Sequence, residues 1–224
     1  MWDRNKTFRN IQLINTSMKK NMRKIVEEGY NKNDYKSFFR MSPKLNEFEL
    51  LFVNSLVARL PKEAKILDLG SGLGIPYDSY LAAHGFNITG VDISQKHVKM
   101  AKKNVPKAKF IKGDFTRIKL KGTFDAVISL YAIFHIPRRE HRKLFLNIAK
   151  LLNEKGILLV TLGTKAESYG EEDNWAGAKM AWSSYSPETY KTLLNGSGFK
   201  ILKAKFEGHK GDEEYHFWIL AQKT

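Results

Sequence analysis

The sequence predicts an α/β protein with a mostly parallel sheet doubly wound with helices on both faces, and three observations carry that prediction. After residue 60, short apolar runs alternate with helix-length stretches, as a parallel sheet with crossover helices requires. One run, "GILLVTL", is apolar at consecutive positions, which suits a strand covered on both faces. The last two strand candidates are joined by "EGHKGDEE", which is too short for a crossover helix, so they pair antiparallel.

The strands are expected at Ile66 to Leu69, Ile88 to Asp92, Ala108 to Ile111, Phe124 to Leu130, Ile157 to Leu162, Phe199 to Phe206 and Tyr215 to Ala221. Helices are expected near 75–84, 94–104 and 138–152, and from "SPETY" onward; Ser94 is an N-cap for the second and Pro137 opens the third. A gap of 22 residues, Gly163 to Ser184, separates the fifth strand from the "SPETY" helix. Before the sheet, Phe8, Ile11, Met18, Met22 and Ile25 recur on one helical face. Residues 1–60 therefore read as an N-terminal helical cap and 61–224 as the main domain, with a lid near 163–184.

With 224 residues and 42% hydrophobic content, one domain with a full core is expected. There is no cysteine, which excludes disulfides, thiolate metal sites and any cysteine nucleophile. No apolar run reaches the roughly 18 residues of a membrane span or resembles a signal peptide, so a soluble cytoplasmic protein is expected. The net charge of +15 is concentrated in two segments: residues 1–24 carry +6 and residues 96–121 carry +9. Such surfaces would suit an acidic partner such as nucleic acid, but 29 of the 38 cations are lysine, and bidentate phosphate recognition favours arginine. A solvated surface is the favoured reading.

The stretch "KILDLGSGLGIPYDSYL" runs from a strand through Gly70, Gly72 and Gly74 into a helix. Glycines there let backbone approach a ligand closely, and the helix N-terminus suits a carboxylate or phosphate. The dinucleotide pattern G-x-G-x-x-G fails, because the third glycine position is Ile75 or Tyr77. Asp92 ends the second strand 22 residues after Gly70, where a carboxylate can take both hydroxyls of a ribose. Asp114 ends the third strand in "FIKGDF", placed to accept from an adenine amino group.

In "LDLGSGLG", "GVDIS", "KGDF", "FDAVISLYAIFH", "LLNEKGILLVTL" and the ending "EYHFWILAQK", the chain resembles the class I S-adenosylmethionine-dependent methyltransferases, among them the small-molecule enzymes of ubiquinone and menaquinone biosynthesis. The resemblance implies a Rossmann-like seven-stranded sheet whose last strand is inserted antiparallel. It further implies S-adenosyl-L-methionine as cofactor and S-adenosyl-L-homocysteine as product. The methionine end would lie at Asp68, Gly70, Ser71, Gly72 and Gly74, and the ribose on Asp92. Adenine would lie beside Ile93 and between Asp114 and Phe115, with backbone contact near Leu130.

The acceptor is expected to be a small molecule methylated on O, N or S, with no metal, since no histidine pair has ligand spacing. "SLYAIFHIPRREH" lacks both the D-P-P-Y type motif of base amino methylation and the acid and amide cluster of metal-dependent catechol enzymes. Cytosine C5 methylation would need a cysteine. His135 reads either as a general base or as a histidine bonded into its loop, and Tyr131 as a wall of the site. Arg138, Arg139, His141 and Arg142 read as a solvated first helical turn. The gap holds Trp175, Met180, Trp182 and Tyr185, expected to shape an apolar pocket; Tyr30 and Tyr35 approach it from the N-terminal side. Two other readings compete: a nucleic-acid methyltransferase using the basic segments, and a noncatalytic binding subunit of this fold.

Overall fold

The computed structural model describes residues 22–32, 44–210 and 215–224. Helix α1 comprises residues 22–32, followed by α2 (Glu47–Val57), β1 (Lys65–Leu69), α3 (Tyr77–Ala83), β2 (Asn87–Asp92), α4 (Gln95–Asn104), β3 (Lys109–Lys112) and β4 (Phe124–Ser129). Two 3-10 turns, Ile133–His135 and Arg138–Glu140, lead into α5 (His141–Leu151) and β5 (Leu152–Gly163). Then come β6 (Gly170–Trp175), β7 (Ala178–Trp182), α6 (Pro187–Asn195), β8 (Phe199–Glu207) and β9 (His216–Lys223).

Seven strands form one sheet in the order β3-β2-β1-β4-β5-β9-β8, and β9 runs antiparallel to both of its neighbours. Each expected strand is present. Alternation along the central strands divides the core in two. Leu67, Leu69, Val127, Leu158 and Val160 face α5 and α6, packing with Phe145, Ile148, Tyr190 and Leu194. Ile66, Ile128, Leu159 and Trp218 face the other way, toward Phe52, Val53 and Leu56 of α2 and Leu81 of α3.

Helix starts follow local chemistry. Ser94 accepts from the His97 N–H, Ser186 from the Thr189 N–H, and Asn46 with Glu49 closes a capping box on α2. The cap reading falls partly on described residues: Met22 and Ile25 are buried and pack with Ala181 of β7, whereas Phe8, Ile11 and Met18 lie outside the described residues.

The gap between β5 and α6 holds a β-hairpin, with Gly170 paired to Trp182 and Trp175 to Ala178. Its turn places Ala176 and Gly177 at φ of 52° and 78°, the left-handed conformations that a two-residue hairpin needs. β6 carries "EEDN" on exposed positions, so it lacks the apolar alternation that identifies a strand. Among the described residues, no helix is long and apolar enough to cross a membrane.

Phe52 fixes α2 to the sheet through Trp218, whose ring centroid lies 5.3 Å away. Phe52→Ala is expected to cost about 3–5 kcal/mol in denaturant unfolding; a loss below about 1 kcal/mol would show that α2 is not part of the cooperative core.

Candidate active site

The carboxyl ends of β1, β2, β3 and β4 converge on one edge, where doubly wound sheets place ligands. The Ser129 hydroxyl donates to the Leu69 carbonyl (2.7 Å), tying β4 to β1 at that edge. The Gly70 and Ser71 N–H groups both donate to the Val91 carbonyl, at 2.8 and 3.1 Å, turning the chain at the end of β1. Gly70 has φ +94°, and a Cβ there would stand 2.3 Å from the Ala132 Cβ, so only glycine fits. At Gly72, φ +52°, a Cβ would meet nothing within 4 Å, and the loop backbone is open on that side. Asp92 is clamped by the Gly72 N–H on Oδ2 (2.9 Å) and the Ser94 N–H on Oδ1 (2.8 Å). Ile93 follows it, half-buried; Asp114 and Phe115 follow β3, and Leu130 and Tyr131 follow β4.

Asp68 and Asp78 are buried together beneath this loop. Asp68 Oδ1 and both Asp78 oxygens lack a hydrogen-bond donor among the described residues. Burial, and then the Asp78 charge, raise the Asp68 carboxyl well above the ordinary range, while burial, partly offset by a hydrogen bond with Asp68, pushes Asp78 up to about 7. The pair therefore holds a proton in the neutral range. Buried carboxyl oxygens without donors fit a cationic ligand group, and S-adenosylmethionine carries both an ammonium and a sulfonium.

Above the edge, α1 places Tyr30 on His135. The Tyr30 hydroxyl lies 2.7 Å from His135 Nε2, and His135 Nδ1 lies 2.9 Å from the Ala181 carbonyl. A carbonyl can only accept, so Nδ1 carries the hydrogen and Nε2 is left to accept from the Tyr30 hydroxyl. Burial lowers His135 to about 4, so the ring is neutral at physiological pH. Trp175 and Trp182 wall this pair, with ring centroids 6.4 and 6.1 Å from His135, and Trp175 lies edge-on to Tyr30 at 5.9 Å. Met180 is fully buried against Gly29 of α1.

Tyr131 adopts φ 55°, unusual for a bulky residue, and its hydroxyl donates to Glu207 Oε2 (2.7 Å), which also accepts from Trp218 Nε1 (2.8 Å). Burial, then the Glu207 charge, hold its phenol well above the usual range.

The structure thus groups Tyr30, His135, Trp175 and Trp182, with Met180 packed behind them. Tyr185 lies with another set, edge-on to His141 and Tyr190 at 6.0 and 5.9 Å, with the Arg138 guanidinium over its ring. Tyr35 lies outside the described residues. The solvated-turn reading of 138–142 is corrected at His141, which is fully buried between the Ile136 carbonyl and the Tyr190 hydroxyl. Arg23, Asn31, Asp78, Glu140 and Glu207 were not singled out by the sequence reading. Arg23 is one cation among seven in residues 1–24, and no spacing marks it.

Residues 66–156 match the family model described as a methyltransferase domain. The chain is 30% identical over 152 residues to phosphoethanolamine N-methyltransferase of Plasmodium falciparum, a match covering 65% of this chain and 57% of that protein. It is 24% identical over 180 residues to the ubiquinone biosynthesis O-methyltransferase of Rickettsia akari, covering 78% and 70% respectively. The chain spans about half the length of the first curated relatives it matches. The crystal structure of magnesium protoporphyrin IX methyltransferase from Synechocystis PCC 6803 with bound S-adenosylhomocysteine superposes with a TM-score of 0.67 at 20% identity, covering 91% of this chain and all of that one. With the strand order and loop geometry, these matches make residues 66–156 a methyltransferase domain, and the chain resembles the class I S-adenosylmethionine-dependent methyltransferases. Within that class it resembles the small-molecule enzymes of the ubiquinone type.

The acid pair gives a pH prediction. Because the folded Asp78 carboxyl holds its proton to about 7 against 3.8 for the free side chain, folding binds protons across that window, and stability falls as pH rises through it. Asp78→Asn removes that cost and supplies an amide donor to Asp68. Its Tm should match wild type near pH 4 and exceed it at pH 8, by about 2–4 °C per kcal/mol recovered. A variant less stable than wild type at pH 8 would contradict the assignment.

Proposed function

We propose that the protein is an enzyme of the cytoplasm that transfers the methyl group of S-adenosylmethionine to an O, N or S atom of a small molecule. The observation that carries this reading is the neutral His135–Tyr30 pair, walled by Trp175 and Trp182 at the sheet edge that also bears the glycine turn and Asp92. The bound donor supplies a sulfonium methyl open to in-line displacement. Gly70 to Gly74 and Asp68 hold its methionine end, Asp92 takes the ribose hydroxyls, Ile93 and Phe115 flank the adenine at the Asp114 loop, and Leu130 offers backbone contact.

Methyl transfer needs positioning and dryness more than covalent help. The described part of the cap, α1, and the lid hairpin β6–β7 provide both, since Met22 and Ile25 pack on Ala181 and Met180 lies under Gly29. The His135 Nε2 lone pair draws on the Tyr30 hydroxyl, which can in turn accept the proton released by an acceptor hydroxyl, thiol or amine. Tyr131, held by Glu207, forms the opposite wall. A small acceptor is favoured over nucleic acid because His135 is only 6% exposed, leaving no open face for a polymer strand. Phosphoethanolamine and magnesium protoporphyrin, in the names of two relatives, are of that scale, whereas the 23S rRNA methyltransferase of Pyrococcus abyssi matches over only 34% of this chain.

The test is an acceptor screen of amines, phenols and thiols that reads out S-adenosylhomocysteine, paired with calorimetry of donor and product. Binding of the product and turnover of at least one acceptor are expected, with Asp92→Ala weakening binding at least tenfold. His135→Ala and Tyr30→Phe should each lower kcat about 10²–10⁴-fold with KM for the donor little changed. Failure to bind either methyl donor or product, or tighter binding of NAD, would refute the reading; undiminished turnover in His135→Ala would remove its role as base.

A further inference from the structure

The lid hairpin is bonded directly to the loop that carries His135. The Ser183 N–H donates to the Phe134 carbonyl (2.8 Å), and the Ala181 carbonyl accepts from His135 Nδ1 (2.9 Å). Ala181 and Ser183 are two residues apart, the period at which backbone groups return to the same edge of a strand. The 3-10 turn Ile133–His135 therefore borders β7 as a partner strand would, with the imidazole N–H in the place of one backbone donor.

Ser183 fixes the register of this contact. It is fully buried, and its hydroxyl is used twice: Oγ accepts from the Arg138 N–H (2.9 Å) and donates to the Ser168 carbonyl (2.7 Å). One hydroxyl thus joins the segment entering β6, the residue leaving β7 and the far end of the His135 loop. Arg138 also reaches the lid from outside, with Nη1 at 3.3 Å from the Ala166 carbonyl and 3.4 Å from the Ser184 carbonyl. Those bonds are long and partly exposed, so the two short Ser183 bonds are the firmer part of the joint. The next residue, Ser184, gives its hydroxyl to the Lys165 carbonyl, a bond that stays within the lid segment.

The ring nitrogen that carries the hydrogen of a neutral histidine is set by the hydrogen bond that the other nitrogen makes. An unconstrained neutral histidine favours hydrogen on Nε2; in that form Nε2 would donate to Tyr30 and could not take a proton. The Ala181 carbonyl can only accept, so the seated hairpin holds the hydrogen on Nδ1 and leaves the Nε2 lone pair to the Tyr30 hydroxyl. We propose that Ser183 is a positioning residue that registers the lid hairpin on the His135 loop, so that seating of the lid selects the basic tautomer of His135 and its departure releases that selection. The proposal rests on the reading of His135 as the base and adds to it the element that prepares the base. The effect of Ser183 passes through the Ala181 carbonyl.

The experiment records long-range proton–nitrogen correlations of the histidine rings in the full chain at neutral pH, with and without S-adenosylhomocysteine. The His135 signals are those missing from His135→Ala. Wild type should show one dominant form, with hydrogen on Nδ1 and a bare Nε2. Ser183→Ala should raise the fraction with hydrogen on Nε2 at least about fivefold; it should also lower kcat at least about tenfold on an acceptor found by the screen above, with the donor KM changed less than about twofold. Ser184→Ala, which removes the same kind of hydroxyl from the adjacent position, should keep the wild-type tautomer. A serine that only stabilised the fold would not move the ring hydrogen. The assignment is overturned if wild type carries the hydrogen on Nε2, a result that needs no variant to fold. It is equally overturned if Ser183→Ala keeps the wild-type tautomer or if Ser184→Ala shifts it as far. Undiminished turnover in His135→Ala refutes the base reading and the catalytic role of Ser183 with it; impaired turnover in His135→Ala together with any of the three contrary spectra overturns the Ser183 assignment alone.

Discussion

The site depends first on a steric constraint at one carbon. At Gly70 the chain leaves β1, reverses onto the Val91 carbonyl and passes so close to Ala132 that no side chain can be accommodated. That contact brings the end of β4 against the end of β1, and the Ser129–Leu69 hydrogen bond repeats the tie one step deeper. Because the turn is tight, the Gly72 N–H reaches Asp92, and the carboxylate that ends β2 is held at a fixed distance from the loop. Glycine strain, strand register and the acidic clamp are thus one arrangement. The cleft exists because the backbone can come that close.

Around this frame the molecule concentrates unfavourable electrostatics where a charged ligand would relieve them. Asp68 Oδ1 and both Asp78 oxygens receive no donor from the other described residues, and both carboxyls are pushed toward neutrality. His135 is driven the opposite way by the same cause, burial, and remains an uncharged imidazole. Desolvation therefore yields a proton-holding acid pair at the β1 loop and, under α1, a neutral imidazole whose Nε2 accepts from the Tyr30 hydroxyl. His141, likewise bonded at both nitrogens and lowered as far, differs in its partners: Ile136 and Tyr190 belong to the packing of α5 and α6.

The sheet was legible because its strands are short apolar runs between helix-length stretches, and "GILLVTL" is apolar without alternation. The glycine spacing with Asp92 was legible because backbone proximity restricts residue type. The β6–β7 hairpin was not: its first strand is charged on exposed positions and its turn is Ala-Gly rather than a strong turn pair. Side chains that act across long sequence separations were equally hidden. Arg23 meets Asp114 across 91 positions and Tyr131 meets Glu207 across 76, and nothing in local pattern ties either pair together. Tyr185 and Trp182 are three residues apart, yet the chain carries them to different neighbours, His141 and His135.

The central claim is that close backbone approach at Gly70 builds the cofactor cleft, and a matched pair of substitutions isolates it. Gly70 and Gly85 have similar φ, +94° and +86°, but a Cβ collides with Ala132 at Gly70 and meets nothing within 4 Å at Gly85. Calorimetry of S-adenosylhomocysteine with Gly70→Ala and Gly85→Ala therefore separates backbone strain from loss of the cleft. The account predicts near wild-type affinity for Gly85→Ala and a loss of at least a hundredfold for Gly70→Ala; equal affinities in the two variants would contradict it.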